Sequence, residues 1–442
     1  MTHKASIIVL LTLLHFWVFD AEAIVNAETK AMAILNANHQ ELLSTDLGSD
    51  LVLYKNANSE RGFAVVLNDG TDSRVIAYSR NATFDPNSEN PGIRWWVNSV
   101  KKWSAHSVLK ANREITKPDT TRFPANVEPL LTTKWGQREP FKFMCPFNTY
   151  IEDTSLYGTY TPDMGHYVVG CVPTAMAQYM NYYKFPVHGI GQDSVEVKYT
   201  IDGSNQQVVA VYKVDFENST YDYSKMIDNY QGEYTDEQAQ AVAQLCYHCG
   251  VAAQASYTSS GAGSNDVKCL NAFINRFNYC DTAHYIVRSN YSEPQWMEMV
   301  YTMLSNRHPI FYSAKDINYE YFIVSGHNFI IDGYDQNGLV HVNWGWYGIE
   351  DGYFDIGLLN PQQYSYDDWQ AMYIGLYPNE NHMAGDANGD GAVDVNDVTT
   401  VINHILGKNP QPFIFDNANV NSDNEVNVMD VTLIINIILG IS

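Results

Sequence analysis

The chain has 442 residues, 45% of them hydrophobic and 13% aromatic, and a formal net charge of −24 at pH 7. This length and composition exclude a disordered chain and allow two or three domains around a large buried core. The charge excludes a nucleic-acid surface, because a phosphate backbone would be repelled, and it suits solubility outside the cell and local cation binding.

The N-terminus reads as an export signal. Lys4 precedes the apolar run Ile7 to Leu14, and Ala21-Glu22-Ala23 offers a small-x-small cleavage site, which predicts a signal peptide over 1–23. The apolar run is too short to span a bilayer and no later segment is long enough, so no membrane span is expected. The protein should be secreted, extracellular or attached to the cell surface.

Residues 24–125 have the pattern of a separate small α+β unit. Leu51 to Tyr54, Gly62 to Leu67 and Arg74 to Tyr78 are short β-type runs divided by Asn, Gly and Asp turns. A helical stretch follows from Pro91 through Trp95, Trp96, Val97, Val100 and Trp103, and the polar Lys117 to Arg122 reads as an exposed linker.

Further on, Trp135-Gly136-Gln137 carries a side-chain amide that can stabilise the oxyanion of an acyl-transfer intermediate, which makes Gln137 the candidate donor. In Gly170-Cys171-Val172-Pro173-Thr174-Ala175-Met176-Ala177-Gln178 a tight turn leads into good helix formers, with proline suited to the first turn. Cys171 therefore stands at a helix N-terminus, where unpaired N–H groups favour a thiolate and lower the thiol pKa. Gln178, roughly two turns along, is expected to lie too far from the thiol to reach it. Val195 to Val214 alternates like a hairpin around Asp202-Gly203. Glu237 to Cys249 reads as a helix with Gly250 as its C-cap. The small-residue loop Tyr257 to Ser264 either admits an extended peptide or is a plain connector.

The six cysteines, Cys145, Cys171, Cys246, Cys249, Cys269 and Cys280, make no small-scaffold disulfide framework, and the disulfide state of the others beside Cys171 stays open. Cys246-Tyr247-His248-Cys249 looks like a redox or zinc half-site without its second half, so structural burial is the expected role.

His327 follows Gly326, 156 residues after Cys171 and just beyond the roughly 130–150 of papain-type enzymes, and Val342-Asn343-Trp344-Gly345-Trp346 lies beyond it. The order Cys, His, then Asn beside Trp is that of papain-like proteases, in which the imidazole takes the thiol proton and a third group orients the ring. Asn343, Trp344 and Trp346 all remain candidates for that third group. His166 and His341 are rival histidines outside these blocks, and Asp332 and Asp335 read as turn and loop carboxylates. The runs Phe329 to Ile331, Leu339 to Val342, Gly352 to Ile356 and Met372 to Leu376 predict an antiparallel sheet, so the expected fold is two-lobed α+β, with the nucleophile on a helix and the base on a sheet.

Taken together, Gly170 to Ala175 with Gln178, Gly326-His327, Val342 to Trp346, and Trp135-Gly136-Gln137 with Pro140-Phe141 and Cys145-Pro146 resemble the streptopain family of secreted cysteine proteases over about 127 to 378. The resemblance implies a zymogen whose prosegment, 24–125, covers the site until cleavage between Lys117 and Val127, a papain-like catalytic domain over 126–379, and hydrolysis of protein or peptide substrates without a cofactor for the chemistry. An acyltransferase or transglutaminase using the same dyad, and a non-catalytic calcium-dependent binding protein, are the competing readings.

The tail is a different object. Asp386, Asn388, Asp390, Asp394 and Asp397 supply oxygens at the first, third, fifth, ninth and twelfth positions of a calcium loop, with Gly391 at the bend and the Ala392 carbonyl next. Asn419, Asn421, Asp423, Asn427 and Asp430, with the carbonyl of Glu425, repeat the pattern. Asn419 and Asn424 stand where the first loop has Asp386 and Gly391, so the second site should bind calcium more weakly. A loop followed by one helix, duplicated and with Asp at the last position, resembles type I dockerin modules. Over 384–442 this implies structural calcium and a cohesin-bearing scaffold or surface protein as partner, against the simpler alternative of a calcium-stabilised spacer.

Overall fold

The computed structural model describes residues 26–68, 73–104, 115–201, 206–258, 261–318, 323–356, 368–379, 384–389, 392–421 and 425–441. The signal peptide 1–23, the hairpin turn at Asp202-Gly203, and Asp390, Gly391, Asp423 and Asn424 lie outside the described residues.

After helical residues 26–35 come four strands, β1 (Leu42–Gly48), β2 (Leu51–Asn56), β3 (Phe63–Asn68) and β4 (Ser73–Ser79), and helix α1 (Pro91–Ser104). Proline opens α1, and Ile93, Trp95, Trp96, Val97, Val100 and Trp103 recur along its length and are buried. The nucleophile region begins with α2 (Cys171–Tyr183), followed by the hairpin β5 (Gln192–Thr200) and β6 (Gln207–Asp215), helix α3 (Asp236–Ala252), the short hairpin β7 (Ser256–Thr258) and β8 (Gly261–Gly263), and α4 (Asp266–Phe277). Then come β9 (His284–Val287), α5 (Glu293–Ser305), β10 (Ile310–Asn318), β11 (Ile323–Tyr334), β12 (Val340–Asn343), β13 (Gly352–Phe354) and β14 (Asp368–Ile374). The tail holds α6 (Val395–Ile405), α7 (Phe415–Ala418) and α8 (Val428–Leu439).

One ten-stranded antiparallel sheet runs in the order β1-β2-β3-β4-β13-β12-β11-β10-β14-β9. The N-terminal segment, which has the pattern of a separate unit in the sequence, therefore shares its sheet with the rest. β4 pairs with β13 through Tyr78 opposite Tyr353 and Ala77 opposite Phe354. α2 packs on β11 and α3 and is buried along most of its length, so Cys171 and His327 lie on elements in direct contact. α1 also packs on β11.

Two local expectations are corrected. Gly250 continues α3 and is not its cap, because a Cβ there would lie 2.0 Å from the Tyr257 hydroxyl, so glycine serves close approach. Asp332 is not a turn residue: it is fully buried in β11, accepts from the Leu131 N–H at 3.0 Å and meets His341 Nδ1 at 2.6 Å. Asp335 is the turn carboxylate expected, accepting from the N–H groups of Asn337 and Leu339. The described cysteines are all free, and Cys246 and Cys249 lie inside α3 with their thiols pushed well up by burial.

Candidate active site

Cys171 opens α2 and is the one cysteine that is partly exposed. The turn before it depends on Gly170, whose φ is 87° and whose added Cβ would sit 2.2 Å from the Ala262 carbonyl oxygen of β8. The thiol does not have the lowered pKa expected from the sequence. Burial pushes it up, while the backbone N–H groups of Asn328, Val172 and Cys171 itself pull it down. The Asn328 contact places the sulfur beside the peptide that follows His327.

His327 lies mid-strand in β11, opposite Ala314, and is 1% exposed. Its Nε2–H donates to the Trp344 main-chain oxygen at 2.7 Å, which fixes the tautomer and leaves the Nδ1 lone pair free to accept a proton. Nδ1 carries no hydrogen bond to any described group, Cys171 included. Burial pushes the imidazole down to about 4, the Trp344 carbonyl opposing. α1 closes over the ring: a Cβ on Gly92 would lie 2.7 Å from His327 Cδ2 and 2.4 Å from the Trp344 indole.

Of the three candidates for orienting the ring, Trp344 makes the contact, through its main chain. The Asn343 side chain makes no hydrogen bond to His327; its Nδ2 donates to the Thr133 oxygen at 2.8 Å and its Oδ1 accepts from the Gly345 N–H at 3.0 Å. The Trp344 indole is fully buried against Phe329 and Phe354. Gln178 does not reach the thiol, as expected, yet it belongs to the site. Its Nε2 donates to Asn343 Oδ1 at 3.1 Å, and its Oε1 accepts from the Thr133 hydroxyl at 2.8 Å and the Trp135 N–H at 3.4 Å. The sequence signal for this was Gln178 standing in the same block as Cys171, on the buried face of a helix.

Gln137 is brought to the nucleophile. The Val169 N–H donates to the Gln137 carbonyl at 3.0 Å and the Thr174 hydroxyl to the Gly136 carbonyl at 3.5 Å, so this segment is tied on both sides of Cys171. The rival His166 forms no dyad with the nearby Cys145. His166 Nδ1 bonds the Cys145 main-chain oxygen at 2.6 Å, its Nε2 meets Thr161, and burial pushes the Cys145 thiol up to about 12.

In the tail, the carboxylates of Asp397 and Asp430 are fully buried. Asp397 accepts from the Asn388 and Asp394 N–H groups, both at 2.9 Å, and Asp430 from those of Asn421 and Asn427 at 3.3 and 2.9 Å. No ion pair among the described residues neutralises either one. Buried carboxylates facing in from a loop of further oxygen donors fit a hard divalent cation.

A family model described as the Peptidase C10 family matches residues 135–354, and one for the type I dockerin domain matches residues 384–439. Streptopain of Streptococcus pyogenes is 26% identical over 352 residues, covering 75% of this chain and 81% of its own. The thiol protease/hemagglutinin PrtT of Porphyromonas gingivalis is also 26% identical over 352 residues, which cover 37% of its length. The solved structure of a prointerpain A fragment from Prevotella intermedia superposes with a TM-score of 0.62 at 35% identity, over 76% of this chain and 98% of the fragment. The chain therefore belongs to the peptidase C10, or streptopain, family: it is a cysteine peptidase of mixed α+β fold with a type I dockerin domain at its C-terminal end.

Proposed function

We propose that this protein is an exported cysteine endopeptidase, made latent and matured by loss of residues 24–125, with Cys171 as nucleophile and His327 as base. The observation that carries this reading is the Trp344 carbonyl holding His327 Nε2, which leaves the Nδ1 lone pair free, on a strand that packs against the helix opened by Cys171. In the active form Nδ1 takes the Cys171 proton as sulfur attacks the substrate carbonyl, then gives it to the departing amine; water attacks the acyl-enzyme with the same imidazole as base. The Gln137 side chain and the Cys171 N–H stabilise the oxyanion. Trp344 positions the imidazole through its main-chain carbonyl, and the Asn343 side chain holds the turn that presents it.

Latency follows from α1. With Gly92 against the ring and Nδ1 unbonded, the dyad is assembled only when this helix leaves. Glu350 anchors the turn that leads into α1: its carboxylate accepts from the Asp85 N–H, the Ser88 hydroxyl and the Asn90 amide. Residues 119–122 are exposed, which suits cleavage between Lys117 and Val127.

The dockerin domain would hold calcium through Asp386, Asn388, Asp390, Asp394, Asp397 and the Ala392 carbonyl in one loop, and through Asn419, Asn421, Asp423, Asn427, Asp430 and the Glu425 carbonyl in the other. Calcium supplies a fixed charge that locks each loop onto its helix. Exposed Val395, Leu406, Val428 and Leu439 give the two helices matching apolar faces for a cohesin-bearing scaffold or surface protein.

The test is casein hydrolysis and iodoacetamide labelling of the purified chain before and after removal of residues 24–125. Both should rise on removal and vanish in Cys171→Ala. Activity that persists in Cys171→Ala, or labelling that removal does not change, would overturn the reading.

A further inference from the structure

A tight loop, residues 344–351, joins β12 to β13, where Val342 lies opposite Gly352. Its first residue is the one whose carbonyl holds His327. Its last, Asp351, reaches back across the neck, and the Trp344 N–H donates to Asp351 Oδ1 at 2.9 Å. The loop turns through left-handed backbone at Gly345, Tyr347, Gly348 and Glu350, with φ between 61° and 72°. Two of these are not glycine, so the path is imposed by its anchors rather than by local preference. The Tyr347 ring presses on Gly136 and its hydroxyl accepts from the Arg138 N–H at 2.8 Å, so the same loop also braces the segment that carries Gln137.

Behind Asp351 lies a second buried pair. His341, on β12, meets Asp332, on β11, at 2.6 Å, and its imidazole is raised above its ordinary value: burial alone would lower it, and Asp332 and Asp351 overcome that. Burial pushes Asp351 up to about 7, with His341, the Trp344 N–H and Lys134 pulling it down and Asp332 pushing it up. These groups border a cavity of about 1130 Å³ shared by Lys134, His341, Asp351 and Tyr353 with Tyr78 and Arg74 of the N-terminal segment.

We propose that Asp351 is a positioning residue for catalysis: its carboxylate fixes the Trp344 main chain, and through it the His327 imidazole, while the His341–Asp332 pair holds that carboxylate against the loop neck. The proposal rests on the reading of His327 as the base. Removal of the acceptor at position 351 frees the 343–344 peptide to turn. The Trp344 carbonyl one peptide further on shifts with it, although Asn343 Oδ1 still accepts from the Gly345 N–H, and His327 Nε2 loses a fixed partner. The imidazole then samples orientations in which Nδ1 does not face the sulfur. Substrate contacts are untouched, so the cost falls on turnover and on formation of the reactive thiolate.

The test compares Asp351→Ala with Asp351→Asn in the full chain, matured in the same way as the parent. Asp351→Asn keeps an oxygen that accepts the Trp344 N–H. For Asp351→Ala, kcat for a peptide substrate should fall at least tenfold with KM within twofold, and the pH profile of Cys171 alkylation by iodoacetamide should move towards that of an isolated thiol. Asp351→Asn should recover kcat to within threefold of the parent. Where alanine does not fold, Asp351→Glu, which keeps the charge and displaces the oxygens by one methylene, takes its place and should behave as alanine does. An unchanged alkylation profile in alanine or glutamate, or asparagine as inactive as alanine, overturns the proposal. Loss of the protease reading would look different, because the parent itself would then lack activity that depends on Cys171.

Discussion

Gly92 and His327 are in van der Waals contact across the boundary between the N-terminal segment and the catalytic sheet, so close that a methyl group on Gly92 would lie 2.7 Å from the imidazole. The absence of one side chain in the first turn of α1 lets the helix cover the base.

Gly92→Ala should therefore produce a leaky precursor. The new methyl meets the Trp344 ring and His327 together, an overpacking penalty of about 1–3 kcal/mol against the closed form. Iodoacetamide labelling of Cys171 in the uncleaved chain should rise at least fivefold over the parent. Equal labelling would mean that α1 is not what limits access.

The buried imidazole also makes the closed form sensitive to acid. An exposed histidine takes up its proton near 6.5, whereas His327 is held down to about 4. Its contribution to stability is complete above 6.5 and is lost as pH falls from there to about 4, by roughly 3 kcal/mol at most. Glu350, raised by burial, works in the opposite sense towards the acid end. The Tm of Cys171→Ala should fall more steeply over this range than that of Cys171→Ala with His327→Gln. Parallel slopes would show that this ring does not titrate with opening.

Gln178 is fully buried and joins α2 to Asn343, Thr133 and Trp135. Gln178→Ala leaves several of those polar groups without a partner and should cost about 2–4 kcal/mol, with a fall in kcat because the Asn343 turn loosens. Gln178→Glu should be no better, since a carboxylate oxygen would then face Asn343 Oδ1. Chemical denaturation and turnover measured on the same preparations check both effects.

Calcium should act on the tail alone. Chelator should melt the helices of the dockerin domain and leave peptidase activity unchanged, and calcium at 100 times its Kd should restore about 2.7 kcal/mol. Asp397→Ala should abolish the tighter binding step in a calcium titration and Asp430→Ala the weaker one. A tail whose circular dichroism ignores chelator contradicts this assignment.

Much of the site was legible because its chemistry sits in short blocks. Cys171 after a glycine turn and His327 after Gly326 are local signals, and the folded chain brings α2 and β11 together. The orienting group was not legible, because the atom that makes the contact is a main-chain oxygen, which any residue at position 344 would supply. Helical spacing shows only that Gln178 is out of reach of the thiol, and its partners lie on two other segments. Gly250 looked like a cap because glycine as a terminator and glycine as a contact point read alike in sequence. The sheet shared through Tyr78 and Tyr353 depends on pairing between residues more than 200 positions apart, and strand periodicity carries no information about partners.

That shared sheet has a further consequence. Excision of residues 24–125 would strip β13 of its outer neighbour and turn Gly352–Phe354 into a free margin. At three residues it is too short to template much association with another chain, as protected rims in soluble proteins tend to be. The cut would also be hard to reverse, because a mature enzyme that unfolded would have to rebuild its half of the sheet with no β4 to align against.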